Sequence, residues 1–452
     1  MQDIKHKIDC AMGRVKCDTV LKNANVVDVF CHKINKCDVA ITDGKIVGLG
    51  EYSGNIEIDV EGKYVLPSFY DTHLHFESSM LTPDEYIKLI APKGVTMINA
   101  DPHEIANVCG LDGINFMLES TINSPVKINF MFPSCVPATP FDHGNAVLDS
   151  AIIAEQMKKG NFFGLAEMMN YPGVINADSD VLKKIETSNH IDGHAPRLNG
   201  KELNAYLTTG ITTDHECETV DEVFEKVSKG MFVMIREGSQ TKNLKYLIKS
   251  FNEYTKRRLI FCTDDRYVGD IIESGSISNC IATSIESGVD PIDAIIMGSL
   301  NAYDCYGIPN KGAVAINYDA DLIVSSDLST LNIDMVFCGG VKIAEKGKAL
   351  FDIKKANQSK VINTVNIKEV TEKDFDLPFV PNKTPIMEVI PHTVVTKKIY
   401  SETMQNLNLC AVIERHKATG NVGVCYVKGF NLIGGAIAQT VGHDAHNITV
   451  IG

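Results

Sequence analysis

The sequence predicts an α/β protein built on a (β/α)8 TIM-like barrel, with a small β-sandwich domain made from both flanks and a partial C-terminal α+β domain. Three observations carry this reading. From Pro67 onward, eight apolar, β-branched runs alternate with helical patterns. Short β-rich runs precede that region and return after about residue 310. Polar side chains able to hold metal or move protons end most of the eight runs.

Taken in order, "TVLKNANVVDVF", "DVAITDGKIVGLG" and "IEIDVEGKYVLP" alternate short β-rich stretches with Asn/Asp/Gly turns, so residues 1–66 are assigned to the N-terminal part of the small β-domain. The barrel, 67–310, takes "YVLPSFYDTHLH", "GVTMINADPHE", "VKINFMFPSC", "FFGLAEMMN", "NHIDGHAP", "GITTDHE", "MFVMIRE" and "RLIFCTDD" as its strands. Eight parallel strands is the number that closes such a barrel. In "TPDE", Thr82 is the expected N-cap, Pro83 the first helical residue and Glu85 the partner of a capping box; Asp290 and Pro291 in "DPIDAII" repeat the cap and proline.

The runs "GAVAINYDADLIVSSD" and "IDMVFCGGVKIAEKGKAL" then send the chain back to the small β-domain, 311–365. A polar connector, "DIKKANQSKVINTVNIKEVTEKDFD", leads into the C-terminal domain, 366–452. That domain ends on the apolar run "NITVIG" with no further partner segments, so it is expected to be truncated and to expose strand edges.

Forty-three basic against 57 acidic residues give a formal charge of -14, with no Lys/Arg-rich block, which argues against nucleic acid or anionic membrane as the partner. The N-terminus lacks a signal-peptide core, and no run of about eighteen apolar residues occurs, so a cytoplasmic protein is expected. Thirteen scattered cysteines, an odd number with no C-x-x-C pair, fit reduced thiols.

The chemistry gathers at the strand ends. In "DTHLH", His73 and His75 point to one face of the first barrel strand, where two imidazoles can chelate one cation. Asp101, His103 and Glu104 follow the second strand, Glu167 ends the fourth, His194 the fifth, His215 and Glu216 the sixth, and Asp264 and Asp265 the eighth. In a barrel these ends converge on one mouth. His73, His75, Glu167, His194, His215 and Asp264 together can ligate two divalent ions, with a carboxylate able to bridge them. A mixed N/O set without thiolate suits Zn, Mn or Fe(II).

"GKYVLPSFYDTHLHFESS" resembles the first-strand signature of the amidohydrolase superfamily. "NADPHEIANVCG", "GLAEMMNYPGV", "DGHAPRLNGKELNAYLTTGITTDHE" and "FCTDDR" resemble the adenine deaminase family within it. The likeness extends from "VLKNANVVDVF" to the end of the chain. It implies hydrolytic deamination of adenine to hypoxanthine and ammonia, in purine salvage, at a binuclear Mn2+ or Fe2+ centre, Zn2+ being compatible, in a homo-oligomer. Carried over by motif, His73 and His75 hold one metal, Glu167 bridges, His194 and His215 hold the other, and Asp264 completes the site and shuttles protons. Glu104 is the candidate for contacting a purine ring nitrogen; its alternative is a helix N-terminal acid. Asp101 and His103 are candidates for orienting neighbours or binding substrate, and Asp265 and Arg266 for binding substrate or pairing with each other. His416, His443 and His446 in "ERHKATG" and "GHDAHN" are expected to be structural or to cover the site, and His143 and His392 carry no assignment.

The sequence departs from the family at "RYVGDIIESGSISN", where Ser276 stands at the place of an expected histidine. The rival enzymatic reading is a cyclic-amide hydrolase or another aminohydrolase of the superfamily; those that bridge their metals with a carbamylated lysine on strand four find Glu167 and no lysine here. The non-enzymatic rival is a truncated purine-binding paralogue.

Overall fold

The computed structural model describes residues 2–391 and 395–452, and His392 lies outside the described residues. Eight parallel strands form the centre: β1 (Phe69–Leu74), β2 (Val95–Ala100), β3 (Lys127–Phe132), β4 (Gly164–Met168), β5 (Ile191–Gly193), β6 (Thr213–Asp214), β7 (Phe232–Arg236) and β8 (Leu259–Cys262). Backbone ladders join β1 through β5, and β6 through β8. A parallel bridge between Leu74 and Asp264 closes β8 onto β1. At the β5–β6 seam, the Gly193 N–H donates to Thr213 Oγ1 at 3.1 Å. A Cβ on Gly193 would lie 2.0 Å from the Thr213 carbonyl oxygen, so only glycine allows this approach.

β1 and β2 are buried along their whole length, which is why they read as unbroken apolar or small-polar runs. The barrel interior is filled by Tyr70, Met97, Met234 and Ile260, with Tyr303 from the helix Leu300–Cys305 and Tyr306 from its C-terminal turn. Each such large side chain withdrawn from water contributes roughly 2 kcal/mol. Two of the hydroxyls are satisfied: Tyr70 donates to Asn99 Oδ1 at 2.5 Å, and Tyr306 to Asp192 Oδ1 at 2.9 Å.

The flanking segments form one nine-stranded sheet. Its hinge is Leu322–Ser325, which returns after the barrel and pairs antiparallel with Tyr64–Pro67. The sheet curls over its own core of Leu21, Val39, Ile41, Val65, Leu322 and Phe337. A helix at Gln2–Ala11, not anticipated from sequence, buries Cys10 against Cys17, Val20 and Ala40.

Thr82 caps the helix Pro83–Ile90 with an extended backbone, but its side chain makes no cap hydrogen bond, so the expected box is not formed. Glu85 instead faces Lys88 and Lys355, each at 3.7 Å. Asp290 does cap its helix, accepting from the Ile292 N–H at 2.8 Å.

The C-terminal segment is a six-stranded sheet in the order Thr396–Ile399, Ile386–Val389, Val422–Lys428, Leu407–Ile413, Ile448–Ile451, Ile437–Gln439. Among the described residues it contains a single-turn 3-10 helix, Glu372–Phe375, and no α-helix, so it is β-rich where α+β was expected. The runs there, three to seven residues long, are too short for an amphipathic helix. The final strand, expected to lack partners, pairs on both sides. All thirteen cysteines are free thiols. No helix among the described residues is long and apolar enough to cross a membrane.

Candidate metal centre

The C-terminal ends of the barrel strands bring all six expected ligands to one mouth. His75 Nε2 lies 3.1 Å from Asp264 Oδ1 and 3.4 Å from Glu167 Oε1. His73 Nε2 lies 3.6 and 3.7 Å from the same two oxygens. On the other side, Glu167 Oε2 is 2.6 Å from His194 Nδ1 and 3.3 Å from His215 Nε2. The two oxygens of Glu167 therefore face two separate groups of donors.

The separations of His75 and His215 from their carboxylate neighbours suit donors that share a divalent cation. Two donors bound to one cation at about 2.0–2.2 Å stand roughly 3.0–3.5 Å apart. His73 Nε2 and His215 Nδ1 are buried without a hydrogen-bond partner. Leaving such an atom unmet costs on the order of 1–3 kcal/mol. A cation meets that need at His73, since Nε2 points among carboxylates too far away for a hydrogen bond. The residues present thus fit a divalent metal on the chemistry of their donors.

Neighbouring groups fix the ligands. His75 Nδ1 donates to the Asp101 carbonyl at 2.9 Å, which leaves Nε2 as the lone-pair donor. The Asp264 N–H donates to the His73 carbonyl at 2.9 Å, and Asp264 adopts a left-handed backbone with φ 52°. Aspartate tolerates that region better than most residues. Tyr206 Oη accepts the His194 N–H and donates to the Met168 carbonyl, each at 3.0 Å. Asp214, one residue before His215, accepts the Ala195 N–H at 2.8 Å and pairs with buried Lys226, also at 2.8 Å.

The cluster polarises its members. Burial works against the charge of Asp264, but Arg236 outweighs it and holds the carboxyl well below its usual range. Burial also opposes ionisation of Glu167, which His194 then overcomes. His73 goes the other way: burial, reinforced by His215, pushes it well below the usual imidazole range and keeps it neutral, the form that binds metal.

The remaining candidates divide. Asp101 Oδ2 lies 3.0 Å from His103 Nδ1, so this pair stands behind His75. Glu104 lies at the start of the helix His103–Glu119, and both of its oxygens are engaged: Oε2 lies 2.8 Å from His446 Nε2, and Oε1 lies 3.0 Å from His443 Nδ1. Asp265 accepts from Ser78 Oγ at 2.5 Å. Arg266 does not pair with it: its guanidinium donates to the Gly275 and Glu237 carbonyls and to Ser274 Oγ. Ser276 lies beneath the mouth, 3.4 Å from Asp71 Oδ2. His416 Nε2 donates to the Ala445 carbonyl at 2.7 Å, pinning the loop that carries His443 and His446, while exposed His143 offers only its carbonyl, to Asn447.

Sequence reasoning missed Arg236, which donates to Asp264 Oδ2 at 2.5 Å and forms a two-pronged ion pair with Glu216. Its signal was a charged residue ending an otherwise apolar strand. Lys226 was missed too, although it follows Val223 by three residues and so shares the core-facing side of Val220–Ser228.

The Amidohydrolase family matches residues 64–343, and the Adenine deaminase C-terminal domain matches residues 387–452. An adenine deaminase of Clostridium acetobutylicum is 44% identical over 100% of this chain and 82% of its own length. One of Nitratidesulfovibrio vulgaris is 40% identical over 98% of this chain and 80% of its own length. Among solved structures, a triazine hydrolase variant aligns with a TM-score of 0.54 at 11% identity, over 77% of this chain and 98% of that one. The L-hydantoinase of Arthrobacter aurescens gives 0.50 at 16% identity, over 75% and 98%. At these identities the structural likeness speaks to the fold alone.

Proposed function

The chain belongs to the adenine deaminase family of the amidohydrolases, and from that premise we propose that it hydrolyses adenine to hypoxanthine and ammonia at the barrel mouth. The observation that carries the residue assignment is the placement of Glu167, one oxygen toward His73, His75 and Asp264 and the other toward His194 and His215. His73, His75 and Asp264 would hold one cation, His194 and His215 the other, with Glu167 shared. When bound, the cations supply Lewis acidity that makes water nucleophilic at neutral pH. Mn2+ or Fe2+ is the proposed identity, with Zn2+ compatible with the same donors.

Asp264 takes the proton of the attacking water and hands it to the amine leaving C6, so that adenine and water become hypoxanthine and ammonia. Arg236 on Oδ2 keeps Asp264 ionised and directs the shuttle through Oδ1, the oxygen that faces His73 and His75. Burial of the six ligands, with only His194 appreciably open to solvent, excludes bulk water from the reacting atoms.

The proposal includes a cytoplasmic location, supported by thirteen free cysteines, and a homo-oligomeric state to be read by light scattering. The test of function is ammonia release by Mn-loaded protein from adenine but not adenosine, with Asp264→Asn abolishing turnover while metal is retained. A folded, metal-replete sample inactive on both purines sinks the reading.

A further inference from the structure

We propose that His443, supplied by the C-terminal sheet domain rather than by the barrel, contacts the purine ring, and that Glu104 is the positioning residue that aims it. This rests on the adenine deaminase reading above. The residues involved come from opposite ends of the chain: Glu104 opens the helix after the second barrel strand, and 342 residues later His446 meets its Oε2 at 2.8 Å. His443 Nδ1 lies 3.0 Å from Glu104 Oε1.

Glu104 is 1% exposed and His446 7%, so this pair is a packed joint. His443 differs. Its side chain is 28% exposed, its Nδ1 is held by Glu104, and its Nε2 has no hydrogen-bond partner among the described residues. An imidazole with one nitrogen anchored and the other open is set up to address a ligand.

The anchored ring of His443 stands close to the metal mouth. Asp265, next to Asp264, is 4.0 Å from His443 Nδ1. Asp444, the next residue along, lies 3.4 Å from His103 Nε2, and the ring of His103 packs 4.5 Å from that of His75. His443 and Asp444 thus adjoin side chains that stand next to the ligands. Adenine carries several ring nitrogens, and a site specific for it must offer them polar partners. Three groups near the mouth are engaged within the protein: Arg266 with loop carbonyls, Glu104 with the two histidines, and Ser78 with Asp265.

The test measures calorimetric affinity of the Mn-loaded full chain for purine, which lacks the reacting amine, and for its 1-, 3- and 7-deaza forms. Loss of one buried hydrogen bond predicts that His443→Gln weakens purine about tenfold while leaving one deaza form, the one missing the contacted nitrogen, unchanged. Glu104→Gln, which keeps an acceptor for His443, should retain more affinity than Glu104→Ala. Metal content and circular dichroism report whether each variant is folded, and His443→Asn provides a second replacement of the same imidazole. Unchanged purine affinity in folded His443→Gln and His443→Asn, or equal weakening of all four ligands, overturns the proposal. Wild-type ammonia release from adenine, run alongside, separates that outcome from failure of the functional reading itself.

Discussion

Lys226 Nζ and Asp214 Oδ2 lie 2.8 Å apart with both side chains fully buried, and each also bonds the backbone of Ala195, between His194 and the following loop. One ion pair thus ties the strand end carrying His215 to the one carrying His194. Burial costs Lys226 hydration, but Asp214 more than offsets it and holds the ammonium charged.

Removing one partner leaves the other charge stranded. Lys226→Met is expected to destabilise the protein by about 3–5 kcal/mol, read from urea unfolding. The double variant Asp214→Asn/Lys226→Met should recover part of that loss. A single variant within about 1 kcal/mol of wild type would show that the pair does not brace the site.

Glu167→Gln keeps the shape of the bridge but removes its charge and one of its two acceptor oxygens. Metal analysis should find fewer cation equivalents per chain, with affinity down by more than about 100-fold. Full metal content with normal affinity would remove Glu167 from the centre.

Because the donors are assembled only in the folded chain, bound metal adds to stability by mass action, about 4 kcal/mol at a thousandfold excess over Kd. Chelation should therefore lower the melting temperature, and Mn2+ should restore it. An identical melting curve before and after complete stripping argues against a cation among these side chains.

Glu414 organises the loop "ERHKATG" by accepting the N–H groups of Lys417 at 2.6 Å and Thr419 at 2.9 Å. Burial works against its charge, but these bonds prevail and hold its pKa at about 2. The folded value lies below the unfolded one of about 4.3, so the ionised form stabilises the fold above that pH. That contribution should fade as pH falls from about 4.3 toward 2, and Glu414→Gln should flatten this part of the stability profile.

The barrel was legible because its signals are local. Strand period, buried length and a polar residue at each strand end are properties of short segments, and they sufficed to name His73, His75, Glu167, His194, His215 and Asp264 as neighbours. The C-terminal sheet was less so. Its strands are short, and which of them pair depends on segments far apart, so "NITVIG" looked unpartnered although Leu407–Ile413 and Ile437–Gln439 flank it. Arg266 and Glu104 illustrate a second gap. Residue type and position made both candidates for the substrate, and only the tertiary structure reveals the hydrogen-bond partners each has within the protein.

The sequence by itself determined which donors stand at the barrel mouth, since backbone periodicity and strand order dictate where each of those side chains projects. Only the tertiary structure decided which charges meet: Arg236 with Asp264, Lys226 with Asp214, and Glu104 with two histidines from the far end of the chain. The physical reason is that a buried polar group must find its partner in three dimensions. The strength of that demand is set by burial, which no short stretch of sequence contains.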